Sequence, residues 1–247
     1  MHPNAVFRLE DRTVLEALIE EVGFGMVFAQ TPDGPRVAHV PIVSTGDGAL
    51  HFHLARGNAL TRHIAGNTAL AVLNGPDAYV SPRWYSDRGQ VPTWNYVALE
   101  LEGPVRQMDE DGLTGLLETI GERQEARITA GEPWRPEQVP AELWDKLARG
   151  IVGFELEVRA WRPTFKLSQN KPAEERLRVA DALEANGSPA IAAAPGAVFL
   201  GPALAASGAP FVVVRPLGLI LMSEGILHGD ALRGWGVQNR GWRWMFR

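Results

Sequence analysis

Cysteine is absent from this 247-residue sequence, and lysine is scarce. Without cysteine the chain has no disulfide, no thiolate metal ligand and no cysteine nucleophile. Only three of the 24 basic residues are lysines, which leaves 21 arginines, and two of the three fall within six residues, at Lys166 and Lys171. In a chain that prefers arginine so strongly this pair stands out, and chance clustering is the alternative.

The charge balance disfavours direct DNA binding. The formal net charge is −5 and the sequence pI is about 5.7, whereas a protein that binds DNA directly usually carries a basic face. The first twelve residues, "MHPNAVFRLEDR", lack the basic and then apolar pattern of a signal peptide. We therefore expect a cytoplasmic protein.

An uncharged run extends from Pro189 to Val214 near the C-terminus. It is long enough to span a membrane, but three prolines interrupt it and most of its residues are alanine, glycine or proline, so we expect no membrane partner. The change of composition predicts two segments. A globular domain covers residues 1–186, and a Gly/Ala/Pro-rich C-terminal tail of unknown structure covers residues 187–247.

Hydrophobic periodicity predicts a mainly β chain with helices around it. A hairpin is expected around "TPDG", and further strands are expected at 49–55, 68–75, 78–81, 94–108 and 152–167, with the second and third of these separated by a break at Gly75-Pro76. Helices are expected at 11–22, 58–67, 109–127, 141–151 and 173–186. Many strands with short connections and outer helices indicate a β-barrel.

The stretch "HFHLARGN" begins with two histidines, His51 and His53, which lie on the same face of a strand. With His39 on the preceding strand they are candidate metal ligands. However, the sequence has no HExxH motif, no cysteine and no adjacent carboxylate cluster, so we expect no metal site. Two polar residues on a half-exposed strand are the favoured interpretation.

The same stretch ends in Arg56, Gly57 and Asn58, followed by Thr61 and Arg62. A forked cation beside small polar groups and a helix N-terminus suits a phosphate. On spacing alone, a capped turn with an arginine in solvent is the favoured alternative, because the stretch is neither a Walker loop nor a GxGxxG motif.

Three further stretches strengthen the case for a bound ligand. Two of them suit a flat heterocycle and the third suits an anion. "YVSPRWY" and "VPTWNY" combine aromatic rings with hydrogen-bonding side chains, which suits a flat heterocycle as well as ordinary core packing. "KLSQNK" adds two cations, a hydroxyl and two amides directly after a strand.

Five stretches in this order, "HVPI", "HFHLARGN", "GPDAYVSPRWY", "VPTWNY" and "KLSQNK", resemble the PaiB family of FMN-binding negative transcriptional regulators. The likeness covers about residues 1–190, so most of the tail has no counterpart. The resemblance implies an FMN-binding split β-barrel with peripheral helices, related to pyridoxamine phosphate oxidase and the flavin reductases. It also implies a homodimer with FMN between the subunits.

The resemblance further implies which residues bind the cofactor. "HFHLARGN" takes the place of the strand and turn that hold the flavin phosphate, which makes Arg56 and Asn58 phosphate candidates with His53 beside them. Trp94 and Asn95 are candidates to meet the flavin ring. The candidates that would reach the ligand, from the second subunit in a dimer, are Lys166, Gln169 and Lys171.

Three functions follow from these observations. The first is an FMN-binding regulator whose partner is DNA or a regulatory protein, although no helix-turn-helix or basic stripe is recognisable. The second is a flavin-dependent oxidoreductase, in which His53 and Tyr96 are the available acid–base residues and no catalytic residue is evident. The third is a haem-binding split barrel that uses His51 and His53.

Overall fold

The computed structural model describes residues 2–186 and, beyond them, the backbone of three short strands, Val212–Val214, Leu219–Met222 and Gly225–Leu227. The prediction for the C-terminal tail therefore falls largely outside the described residues, and the boundary after residue 186 stays a prediction. No helix among the described residues is long and apolar enough to cross a membrane.

Four α-helices lie at or near the predicted positions: α1 (Arg12–Val22), α2 (Glu110–Glu125), α3 (Ala141–Ala148) and α4 (Ala173–Ala185). Helix α1 shows why the prediction succeeded. The Asp11 carboxylate accepts hydrogen bonds from the backbone of Thr13 and Val14, and Gly23 ends the helix with a φ of 59°. These are the usual chemical signals for a helix start and a helix end.

Eight strands precede the tail: β1 (Phe24–Thr31), β2 (Gly34–Pro41), β3 (Val43–Ser44), β4 (Ala49–Ala55), β5 (Thr68–Val80), β6 (Thr93–Gln107), β7 (Ile151–Glu157) and β8 (Ala160–Lys166). They form one sheet in the order β2-β1-β5-β6-β7-β4-β3, with β8 paired to β6. The pairs β1–β2, β1–β5, β3–β4, β4–β7 and β6–β7 are antiparallel. The predicted mainly β architecture with helices added is confirmed.

The chain divides into two compact units. Unit 1 comprises residues 1–75 and 97–165, and unit 2 comprises residues 76–96 and 166–247. The core of unit 1 includes the stacked rings of Phe52 on β4 and Phe154 on β7, whose centroids are 5.7 Å apart. Buried and partly exposed residues alternate along β4, so this strand presents one face to the core.

The single strand predicted at 152–167 is two strands, β7 and β8, and two further secondary-structure predictions were wrong. The first is the short helix at 58–67, where the structure has only turns. The Asn58 side chain accepts the backbone N–H of Leu60, and Thr61 Oγ1 donates to the carbonyl of Ala55. These side chains compete with helical hydrogen bonding for the backbone, and Leu60 and Ile64 are fully buried in this turn conformation.

The second wrong prediction is the break at Gly75 and Pro76, because β5 continues through both residues. A Cβ placed on Gly75 would lie 3.0 Å from the Cβ of Val97. The glycine therefore permits a close approach between neighbouring parts of unit 1 rather than a turn.

Candidate functional site

The two histidines of β4 lie on the face opposite the core, and they have different surroundings. His51 Nε2 is 3.0 Å from Glu155 Oε2, and Arg106 donates to both oxygens of the same carboxylate at 2.6 and 2.7 Å. The Arg106 hydrogen bonds are the largest cause of the lowered pKa of Glu155. His51 thus belongs to a hydrogen-bonded cluster that joins β4, β6 and β7.

His53 is half-buried, and its Nδ1 atom is buried with no hydrogen-bond partner among the described residues. Burial lowers the pKa of His53, so the ring is neutral at pH 7. Across the sheet it is paired with Gly153 of β7. Among the described residues, His, Asp and Glu side chains form no cluster of three or more that could hold a metal ion.

The turn after β4 uses its polar groups to hold its own shape. Arg56 donates from Nε to the Arg149 carbonyl at 2.9 Å and from Nη2 to the Ile151 carbonyl at 3.3 Å. The Asn58 carbonyl oxygen accepts from the Leu60 backbone at 2.9 Å. Since turns rather than a helix follow, no helix N-terminus supports an anion here. The structure thus removes one of the reasons for placing a phosphate at this turn.

The "KLSQNK" turn of unit 2 presents two ammonium groups to the segment before β6. Lys166 Nζ donates to Thr93 Oγ1 at 2.6 Å and also to the Trp94 carbonyl. Lys171 Nζ donates to Gln90 Oε1 at 2.6 Å and lies 5.3 Å from the ring centroid of Tyr85. All of these partners are neutral. Neither lysine forms an ion pair with a carboxylate among the described residues.

The turn itself is held in an unusual conformation. Ser168 has a φ of 66°, and it is the only described residue other than glycine with a positive φ. Its hydroxyl is 3.0 Å from Nδ2 of Asn95 and 3.2 Å from Oδ1, and both residues are buried. Gln169 Oε1 accepts the backbone N–H of Leu167 at 2.7 Å. Asn95 and Gln169 therefore position the turn through hydrogen bonds.

An exposed aromatic pair belongs to the same unit. Trp94 is 52 % exposed and Tyr79 is 44 % exposed, and their rings meet edge to face with centroids 5.4 Å apart. Trp94 Nε1 donates to Asp77 Oδ1 at 2.9 Å, which fixes the indole orientation. A planar heterocycle can stack on such a ring.

The structure groups five of the eight predicted cofactor residues in unit 2, namely Trp94, Asn95, Lys166, Gln169 and Lys171. The other three, His53, Arg56 and Asn58, lie in unit 1 on β4 and its turn. Sequence reasoning missed Gln90 and Thr93 as lysine partners. Thr93 lies within the quoted "VPTWNY", whereas no sequence signal marked Gln90.

The donor set of unit 2 fits FMN in chemical terms. A phosphate dianion is bound well by cations that are not already paired with a carboxylate, and Lys166 and Lys171 are two such cations among the described residues. A flavin ring can stack on an accessible aromatic plane, and Trp94 offers one.

Comparison with known proteins agrees with this chemistry. The model of a family described as "Putative FMN-binding domain" matches residues 1–160. The "Protease synthase and sporulation protein PAI 2" of Bacillus subtilis is 28 % identical over 193 residues, which is 76 % of this chain and 92 % of the relative.

Two solved structures share the fold. The FAD and haem binding protein from Mycobacterium smegmatis is 17 % identical, with 68 % of this chain and 77 % of that chain covered and a TM-score of 0.53. A flavocytochrome from Azotobacter vinelandii is 14 % identical, with 72 % and 78 % covered and a TM-score of 0.54. At these identities the likeness concerns the fold alone, and the predicted split-barrel fold is confirmed.

Proposed function

Because the chain belongs to this family of FMN-binding domains, we propose that it binds FMN and acts as a negative transcriptional regulator of the PaiB type. The observation that carries the proposal is the match of the family model to residues 1–160, reinforced by the Bacillus subtilis relative. The name of that relative refers to a protease synthase and to sporulation.

The described residues of unit 2 support a different role in FMN binding for each of several side chains. Trp94, oriented by Asp77, offers a stacking plane for the flavin ring. Lys166 and Lys171 supply positive charge, and Asn95 and Gln169 hold the turn that carries both lysines. When bound, FMN would supply reversible electron transfer. The chain's own residues bind and orient it.

Regulation through a bound ligand or a protein partner accounts best for the acidic character of the chain. A net charge of −5 is unfavourable for contact with a phosphate backbone. We therefore propose that the protein is cytoplasmic, that it forms the homodimer which the PaiB resemblance implies, and that it affects transcription indirectly, with direct DNA contact as the alternative.

A second candidate function is a flavin-dependent oxidoreductase. One observation favours it, namely that Tyr79 and Trp94 are about half exposed. A flavin that stacks on one side of such a pair leaves its other face open to a substrate.

The first test is the absorbance spectrum of the purified protein before and after FMN is added. A two-peaked visible band that stays with the protein through gel filtration supports FMN binding, and the elution volume reports the oligomeric state. Absence of the band at excess FMN refutes the proposal. A Soret band would favour the haem alternative. Steady oxidation of NADPH or NADH by the FMN-loaded protein would favour the oxidoreductase over the regulator.

A further inference from the structure

Two regions are candidates to bind the anionic end of the ligand. They differ in the hydrogen-bond partners of their cationic side chains. In unit 1, Arg56 donates from both Nε and Nη2 to main-chain carbonyls. In unit 2, the partners of Lys166 and Lys171 among the described residues are a hydroxyl, an amide and a carbonyl oxygen, none of which carries charge. A half-buried ammonium without a counterion retains a desolvation cost that an anion would offset.

Among the residues that the structure describes, no carboxylate forms an ion pair with either lysine. Burial raises the pKa of Tyr85, so the phenol beside Lys171 stays neutral. Glu175, the carboxylate that follows on α4, accepts hydrogen bonds from the backbone and hydroxyl of Ser86 instead. The positive charge of Lys171 adds to burial in lowering the pKa of Lys166. The two ammonium groups therefore repel each other, and neither has an ion-pair partner among the described residues.

The backbone conformation that holds the two lysines in place costs conformational free energy. A non-glycine residue in the left-handed region costs on the order of 1 kcal/mol, and such residues gather at functional sites. Ser168 adopts that conformation between the two lysines, and Asn95 holds it there. The turn therefore directs both lysine side chains toward one segment, which carries Gln90 and Thr93.

We propose that Lys166 and Lys171, with the hydroxyl of Thr93, form a recognition site for the phosphate monoester of a planar heterocyclic ligand, and that Arg56 is a structural residue. The identity of that ligand as FMN rests on the proposed function. The site itself does not, because an uncompensated lysine pair recognises a phosphate monoester whatever ring carries it. Ammonium groups act as point charges here, so the phosphate replaces their neutral partners without a bidentate geometry.

The experiment compares FMN with riboflavin, which has the same ring and no phosphate. Flavin affinity is measured by fluorescence quenching for the full-length protein and for Lys166→Met, Lys171→Met and the double variant. The matched control is Lys146→Met, which removes the remaining lysine of the chain from an exposed position on α3 in unit 1. Thermal melting of each flavin-free variant verifies that it is folded.

We expect the wild type and the Lys146→Met control to bind FMN much more tightly than riboflavin. Each lysine substitution should weaken FMN binding by on the order of tenfold and leave riboflavin binding unchanged. Equal affinity of the wild type for FMN and riboflavin would overturn the phosphate site. So would retention of the FMN preference in the double variant.

A second measurement separates this proposal from the proposed function. Inorganic phosphate should raise the melting temperature of the flavin-free wild type and of Lys146→Met, and not that of the double lysine variant. If this occurs while no flavin binds, the phosphate site stands and the FMN function fails. If flavin binds but neither phosphate nor the lysine substitutions have an effect, the FMN function stands and the phosphate site fails.

Discussion

Asn95 of β6 and Ser168 of the "KLSQNK" turn are hydrogen-bonded to each other although 73 residues separate them. The Asn95 amide nitrogen lies 3.0 Å from the Ser168 hydroxyl, and the two side chains are only 1 % and 5 % exposed. A buried polar pair of this kind specifies one conformation, because each partner would otherwise be left without a hydrogen bond. The left-handed backbone of Ser168 is thus held from the adjoining strand.

The first prediction concerns this pair. Asn95→Ala removes the amide that is hydrogen-bonded to the buried Ser168 hydroxyl, so we expect a loss of about 2 kcal/mol in the free energy of unfolding. Amide hydrogen exchange should also accelerate in residues 166–171. Urea unfolding and exchange measured by mass spectrometry check the two effects. Asn74→Ala, at an exposed position of β5, is the control, and equal losses in both variants would contradict the role given to Asn95.

The second prediction concerns Gly103 on β6. A Cβ added there would lie 1.7 Å from the carbonyl oxygen of Glu157 and 2.8 Å from its carbonyl carbon. Because these are main-chain atoms, the backbone itself would have to shift, and we expect Gly103→Ala to cost about 3 kcal/mol in the free energy of unfolding. Urea unfolding of the flavin-free protein measures this loss.

Gly115 is the matched control for that substitution. It lies inside α2, and an added Cβ would meet no atom within 4 Å. Gly115→Ala should therefore stabilise the protein by about 0.5–1 kcal/mol. If both alanine substitutions change the free energy of unfolding by the same amount and sign, the close approach of Glu157 is not the reason for glycine at position 103.

The third prediction concerns Arg56, which joins its turn to the carbonyls of Arg149 and Ile151. Arg56→Ala should lower the free energy of unfolding of the flavin-free protein by about 1–3 kcal/mol, because two charge-assisted hydrogen bonds are lost. Urea unfolding measures the change. If stability stays the same while FMN binding weakens tenfold, Arg56 is the phosphate ligand that the sequence resemblance implied.

The fourth prediction concerns His53, whose pKa is lowered by burial from the ordinary 6.5. The unfolded chain binds this proton at a higher pH than the folded protein does. The contribution of His53 to stability is therefore complete above pH 6.5 and is lost as the pH falls through its folded pKa. His53→Phe should reduce the loss of stability between about pH 7 and pH 5.

His39 provides the control for this pH effect because it is exposed on β2. His39→Phe should keep the wild-type dependence of unfolding free energy on pH, as measured by urea unfolding at several pH values. An unchanged pH dependence in His53→Phe would show that other groups cause the loss of stability in acid.

The sequence alone predicted the parts of the structure that depend on local signals. Helix α1 followed from the capping Asp11 and the periodic apolar residues, and β4 followed from its alternation. The predictions failed where one sequence pattern is compatible with two different local structures. Gly75 before a proline indicated a turn, but in the fold it permits close contact with Val97, which lies 22 positions further along the chain.

In the candidate site, too, the features with local sequence signals were predicted and those set by distant contacts were not. The two lysines were notable in the sequence because lysine is so rare, and the likeness to a known family implied that they are candidates to reach a ligand. The roles of their neighbours required the fold. Nothing in the local sequence indicates that Gln90 accepts from Lys171 or that Arg56 is engaged by two carbonyls, since these partners lie 81, 93 and 95 residues away.

The fifth prediction uses the charge of Lys166. Burial, reinforced by the charge of Lys171, lowers the pKa of Lys166 below the ordinary 10.5, while the neighbouring Tyr85 phenol is held neutral. Lys166 therefore loses its positive charge at a lower pH than an ordinary lysine does. We expect FMN affinity to fall on the order of tenfold as the pH rises through that lowered pKa. Fluorescence titration between about pH 7 and pH 10 measures it.

Lys166→Arg is the deciding variant for this pH effect. Arginine keeps its charge across the whole range, so the affinity of this variant for FMN should stay level where that of the wild type falls. Riboflavin affinity should be level in both proteins, since no phosphate is present to sense the ammonium charge. A parallel fall for FMN and riboflavin in the wild type would mean that alkaline pH acts on the flavin ring or on the fold, and that the charge of Lys166 does not select the phosphate.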